Sequence, residues 1–151
     1  MKLMAAGDQV LVAEFGDRID EAVNDQVHAL AAKIEEQQIP GIGEVVPTFR
    51  SLLIYYDSYQ LSYREAADKI EELARNLKTE QKTKKRILKI PCCYGARFGP
   101  DLADMEQLTG LDRKEMIDIH SSVDYKVYML GFLPGFAYLG GLDERIQVPR
   151  L

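Results

Sequence analysis

The side chains best suited to chemistry in this chain gather in its last third. His120-Ser121-Ser122 puts one imidazole and two hydroxyls in consecutive positions. Imidazole titrates near neutral pH, so His120 is the candidate catalytic acid or base. The residues before it read as a helix, and the negative end of a helix dipole favours the protonated ring. Ser121 and Ser122 can hold a carboxylate or phosphate through their hydroxyls and backbone N–H groups, or simply end the helix. Arg145 and Arg150 follow. A guanidinium fork grips a carboxylate through two parallel hydrogen bonds, which suits an anionic substrate, against the plain reading of two solvated charges. The second histidine, His28, falls on a predicted helix as an ordinary surface or partly buried residue.

Between these groups lies YKVYMLGFLPGFAYLGGL, residues 125–142, which is apolar, aromatic and glycine-rich at once. Residues 123–130 alternate, with Val123, Tyr125, Val127 and Met129 on one face and Asp124, Lys126 and Tyr128 on the other, the period of a strand. Gly131, Pro134, Gly135, Gly140 and Gly141 then break the pattern. Phe132, Phe136 and Tyr138 have no strand partner evident in the local sequence, so they either fill a core or line a site. Tyr94, Phe136 and Tyr138 fit the flat walls of a groove, although cores use aromatics in the same way. A phosphate loop of the G-x-x-x-x-G-K-[ST] kind is absent from the sequence, and residues 131–141, though they contain glycines, have no lysine or serine for phosphate and metal.

Several classes are excluded by composition. With 151 residues, 46% hydrophobic and 28% charged, the chain has the make-up of a globular protein, enough for one domain with a core or two small ones. A net charge of -5 argues against nucleic acid as a partner. Lys82, Lys84, Lys85, Arg86 and Lys89 form a local basic cluster, read as a solvated boundary between elements. Cys92 and Cys93 stand side by side, too close for a disulfide framework or C-x-x-C metal spacing, and are expected as buried free thiols. No apolar run reaches the ~20 residues of a membrane helix, and nothing near the start has a signal peptide's apolar core. The expected location is the cytosol.

These residues need elements to position them. Residues 9–15 predict a strand, and Asp17 is the expected N-cap of a helix carrying Ile19, Val23, Val27, Leu30 and Ile34 at spacings of three and four. That helix must stop before Pro40-Gly41. Residues 44–47 and 50–57 read as strands, the second apolar on both faces and therefore central. Leu61, Ser62 and Glu65 form a capping box for a helix whose buried stripe is Ala66, Ile70, Leu73 and Leu77. After a charged stretch, residues 78–85, a strand is expected over 86–90. The order strand, helix, strand, strand, helix, strand is that of a ferredoxin-like α+β domain, two helices on an antiparallel sheet. A loop rich in breakers, Tyr94 to Pro100, then leads to a helix over 101–108 closed by Gly110. A second helix follows, with Leu111 at N′, Asp112 as N-cap, Glu115 at N3 and Met116 at N4.

Assembled, these residues resemble the family that contains the B component of 5-oxoprolinase, the KipI sporulation-kinase inhibitor and allophanate hydrolase subunit 1. The resemblance is carried by Cys93-Tyr94-Gly95, Phe98-Gly99-Pro100-Asp101-Leu102, Thr109-Gly110-Leu111, His120-Ser121-Ser122 and, above all, the run 128–142 with Arg145 and Pro149-Arg150. Gly7-Asp8 and Arg50-Ser51 add to it. Ala96 and Arg97 depart from it, standing where the family usually has glycine and an acidic residue.

The resemblance implies an N-terminal α+β domain, residues 1–90, and the opening part of a cyclophilin-like β-barrel domain, residues 91–151, with the family pattern set to continue beyond. It implies a subunit of an ATP-dependent 5-oxoprolinase, inactive alone. Its partners would be a related barrel subunit (the enzyme's C component or a KipA-like protein) and a third, lactam-utilisation subunit, and ATP would be used by the complex. The alternatives are a KipI-type inhibitor of a sensor histidine kinase and allophanate hydrolase subunit 1. Association with a second copy is a further expectation, to cover the edges of an incomplete barrel. On this resemblance His120 is the catalytic candidate, and Ser121, Ser122, Phe136, Tyr138, Arg145 and Arg150 are the substrate-binding candidates.

Overall fold

The computed structural model describes residues 1–77 and 86–149. The described residues fall into two compact units, 1–77 with 128–137 and 86–127 with 138–149. The charged stretch 78–85, with Lys82, Lys84 and Lys85, lies outside the described residues, as does Arg150.

The first unit runs β1 (Lys2–Ala5), β2 (Val10–Glu14), α1 (Glu21–Gln37), β3 (Ile42–Pro47), β4 (Ser51–Tyr56) and α2 (Tyr63–Arg75). The four strands form one antiparallel sheet in the order β1-β2-β4-β3. Leu11 lies opposite Ile54 and Ala13 opposite Leu52, so alternate residues of the two central strands share a face. That face is buried with Tyr56 against Val27, Leu30, Ala31 and Ile34 of α1 and against Ala66 and Ile70 of α2, and it makes the core. β4 is central, as its two-sided apolar pattern requires, with Leu52 and Ile54 inside and Tyr55 exposed.

The fourth strand comes from an unexpected place. Residues 86–90 join no strand, and Ile87, Leu88 and Ile90 are exposed. The partner of β2 is instead β1, the short lead that hydropathy does not mark, with Met4 opposite Val12. Since β2 is paired on its other side with β4, it has no further edge to offer. The unit is mixed α/β with two helices on one antiparallel sheet. Its strand order in sequence differs from the expected one at both ends.

Helix α1 begins later than expected. Its N-cap is Asp20, not Asp17: the Asp20 carboxylate accepts hydrogen bonds from Ala22 N and Val23 N, at 2.9 and 3.1 Å. Ile19 is left outside the helix and exposed, and the stripe gains Asn24, which is fully buried. α2 has the predicted capping box, Ser62 accepting from Glu65 N and the Glu65 carboxylate accepting from Ser62 N.

The second unit opens with a 3-10 turn (Ala96–Phe98), followed by α3 (Leu102–Thr109) and α4 (Arg113–Ser121). Gly110 closes α3 at φ +72°, and Asp112 and Glu115 make the predicted capping box of α4. A 3-10 turn, Glu144–Ile146, ends the unit, with Met116 and Ile146 buried. Cys92 and Cys93 are both exposed, contrary to expectation, because residues 86–93 join no sheet and are exposed throughout.

β5 (Lys126–Leu130) and β6 (Ala137–Gly140) form a two-stranded sheet, and the division between the units falls within it. The buried residue of β5 is Tyr128, while Val127 on the other face is half exposed. Within the first unit, Tyr128 O accepts from Asn24 Nδ2 at 3.2 Å and lies 2.9 Å from His28 Nε2, and the Tyr128 ring lies against Phe49. No helix among the described residues is long and apolar enough to cross a membrane.

Candidate functional site

In the second unit, His120 sits in the last turn of α4, half-buried among tyrosines. Its Nδ1 lies 2.5 Å from the Tyr94 hydroxyl, and the Tyr94 ring meets the imidazole edge-on at 5.7 Å. On another side the Tyr125 ring lies 5.3 Å away, tilted by 34°, and its hydroxyl donates to the His120 carbonyl at 2.9 Å. Burial pushes the Tyr94 phenol above its ordinary range, and the neighbouring Cys92 thiol pushes it the same way. Tyr125 is raised too, first by burial and then by the charge of Asp143. Both phenols therefore stay protonated well past neutral pH. Nε2 of His120 makes no hydrogen bond among the described residues.

The loop that carries Tyr94 is held by close backbone packing. A Cβ on Gly99 would lie 2.7 Å from Tyr94 O and 2.6 Å from Leu102 Cδ1, so only glycine fits there. Phe98 N donates to Gly95 O at 3.1 Å, and Arg97 stacks on the Phe98 ring at 4.9 Å. Arg97 is thus occupied with its own neighbour.

The other predicted residues are placed differently. Ser121 Oγ donates to Ile117 O at 2.7 Å and Ser122 Oγ to Ile119 O at 2.9 Å, so both hydroxyls serve the end of α4. Arg145 is clamped by Asp143 through two bonds, Nε to Oδ1 at 2.9 Å and Nη2 to Oδ2 at 2.8 Å. That clamp holds the Asp143 carboxyl down at about 2. Tyr138 is half-buried on β6 in the same unit as His120. Phe136 belongs to the first unit, where its ring meets Phe132 edge-on at 5.8 Å. Tyr125 is the residue at His120 that sequence reasoning did not single out as functional. The signal for it was its spacing of five from the histidine across a helix end.

Loop 131–136, glycine-bearing but without a lysine or serine, is closed on itself by its own backbone. Gly131 N donates to Phe136 O, Leu133 N to Gly131 O and Phe136 N to Leu133 O, so these amides are used within the turn. Phe132 takes φ +66° and is 83% exposed.

With the geometry in place, comparison defines the class. The family model described as carboxyltransferase domain, subdomain C and D, matches residues 1–151, and the chain belongs to that family. Its relatives carry a narrower name. Over 154 residues it is 42% identical to the B component of 5-oxoprolinase from Bacillus subtilis (strain 168), covering 95% of this chain and 64% of that protein. Over 146 residues it is 32% identical to the protein of the same name in Escherichia coli O157:H7, covering 95% and 65%. The crystal structure of TTHA0988 matches with a TM-score of 0.79 at 28% identity, over 94% of this chain and 27% of that one. The chain thus spans less than two thirds of the length of these curated relatives.

Proposed function

We propose that this chain is part of a subunit of an ATP-dependent 5-oxoprolinase complex, which opens 5-oxoproline to glutamate. The observation that carries the reading is the 42% identity, along 95% of the chain, to the B component of a 5-oxoprolinase. On this reading residues 1–90 are an α+β domain and residues 91–151 open a cyclophilin-like one. ATP enters through the other subunits, a related barrel subunit and a lactam-utilisation subunit, and the complex works in the cytosol.

Opening a lactam breaks the ring C–N bond. Water gives its hydroxyl to the carbonyl carbon and a proton to the departing nitrogen. The step needs a hydrogen-bond donor at the carbonyl oxygen or at that nitrogen. His120 is the group proposed for it, because one ring nitrogen is held by Tyr94 and the other is unengaged among the described residues. Ser121, Ser122 and Arg145 are less suited to substrate, since each is engaged with protein groups.

The test is ATP hydrolysis coupled to 5-oxoproline, measured with the complete subunit and its partners. Turnover is expected only with all subunits present, and His120→Ala is expected to lower it by about 10²–10⁴-fold. Turnover by this chain alone, or an unchanged rate in His120→Ala, overturns the reading. Tight binding to the dimerisation helices of a sensor histidine kinase, with no turnover by the full complex, replaces it with the inhibitor alternative.

A further inference from the structure

We propose that Tyr94 is the positioning residue of His120: its hydroxyl donates to Nδ1, holds the neutral ring in the Nε2–H tautomer, and so makes His120 a hydrogen-bond donor to a carbonyl or anionic oxygen rather than a base. The inference deepens the reading of His120 given above and rests on it.

Three observations carry it. First, the two ring nitrogens are inequivalent, since Nδ1 faces the Tyr94 hydroxyl at 2.5 Å and Nε2 has no protein partner among the described residues. Second, the direction of the bond is set by what each group has left. A phenol has one proton, and imidazole nitrogen is a far better acceptor than a thiol sulfur, the neighbouring alternative at Cys92. If Nδ1 carried the proton, Tyr94 would be left with that weaker acceptor, and Nε2 would be an uncommitted lone pair. Third, the ring cannot easily turn to exchange its nitrogens. Tyr94 stands at its edge and Tyr125 lies tilted beside it, while the Tyr125 proton is committed to the His120 carbonyl and does not compete for Nδ1. The raised Tyr94 phenol remains a donor throughout the neutral range.

A ring held this way has a specific chemistry. Its Nε2–H is suited to oxygen that gains negative charge, such as the carbonyl of a lactam under attack by water, and it cannot deprotonate that water without first losing its own proton.

Nitrogen-15 NMR of the histidine-labelled chain at about pH 8, above the ordinary imidazole range, reads the tautomer directly. His28→Gln assigns the signals, since only two histidines are present. The wild-type chain is expected to show His120 protonated at Nε2, and Tyr94→Phe to give a mixture of tautomers. An Nδ1-protonated ring in the wild type, or a tautomer unmoved by Tyr94→Phe, overturns the proposal. The wild-type spectrum decides even if the variant fails to fold. In the assembled complex, Tyr94→Phe is expected to lower kcat by about 10- to 100-fold with KM unchanged. Wild-type kcat in that variant also overturns the proposal. If His120→Ala leaves turnover intact, the functional reading falls by itself. If the tautomer is wrong while His120→Ala is inactive, only the role of Tyr94 falls.

Discussion

Asn24 shows what a single buried amide can do in the first unit. Its Nδ2 reaches the carbonyl oxygens of Thr48, Phe49 and Tyr128 at 3.0, 3.2 and 3.2 Å, and its buried Oδ1 has no hydrogen-bond partner among the described residues. The side chain is therefore held as a donor and tolerates no second acceptor. Asn24→Ala removes the donor from three carbonyls and is expected to cost about 1–3 kcal/mol. Asn24→Asp places a carboxylate oxygen among those carbonyls and is expected to cost more than about 3 kcal/mol. Denaturant unfolding of the two variants checks the order, and equal stabilities would refute it. Asp143 offers a second measurement at this scale. Its pKa falls from the ordinary 3.8 to about 2, chiefly through the hydrogen bonds from the Arg145 side chain. A depressed carboxyl favours the folded state above its unfolded pKa, and that contribution is lost as pH falls through about 2. Carbon NMR should place the Asp143 midpoint near that value and return it to the ordinary range in Arg145→Ala.

Among the elements, legibility tracked how local the determining forces are. Both capping boxes, Ser62 with Glu65 and Asp112 with Glu115, were readable because cap and acceptor lie three residues apart. Replacing Ser62 by Ala is expected to cost about 1 kcal/mol, read as a shift in the unfolding midpoint without change in its slope. The αL glycine after α3 was readable for the same reason. What failed depended on partners far away in sequence. Arg86-Ile87-Leu88-Lys89-Ile90 has strand composition, but strand propensity means little without a free edge, and β1 occupies the one beside β2. β1 itself is four residues long, KLMA, with only its two inner residues half-buried. Asn24 was passed over because a polar residue on a helix face normally points to water, and its partners lie 24 to 104 residues ahead. At the candidate site, His120 was legible from its chemistry. Its tyrosine partners were not, since Tyr94 and Tyr125 are brought to it by a loop and a chain reversal.

For the whole molecule, the sequence carried the family and the α/β character of the first unit, and the comparisons agree with both. It did not show that residues 128–137 return to that unit. A consequence follows for the order in which the chain assembles. Because its fourth strand precedes α1, all four strands and both helices of the first unit lie within residues 2–75. They emerge from the ribosome ahead of every member of the His120 cluster, and domains fold in that order during synthesis. The sheet can close on a nascent chain, with Asn24 already bound to Thr48 and Phe49. The Tyr128 carbonyl, 104 residues further on, then docks onto a finished surface. This ordering spares the unit the slow search that a strand from beyond α2 would have imposed.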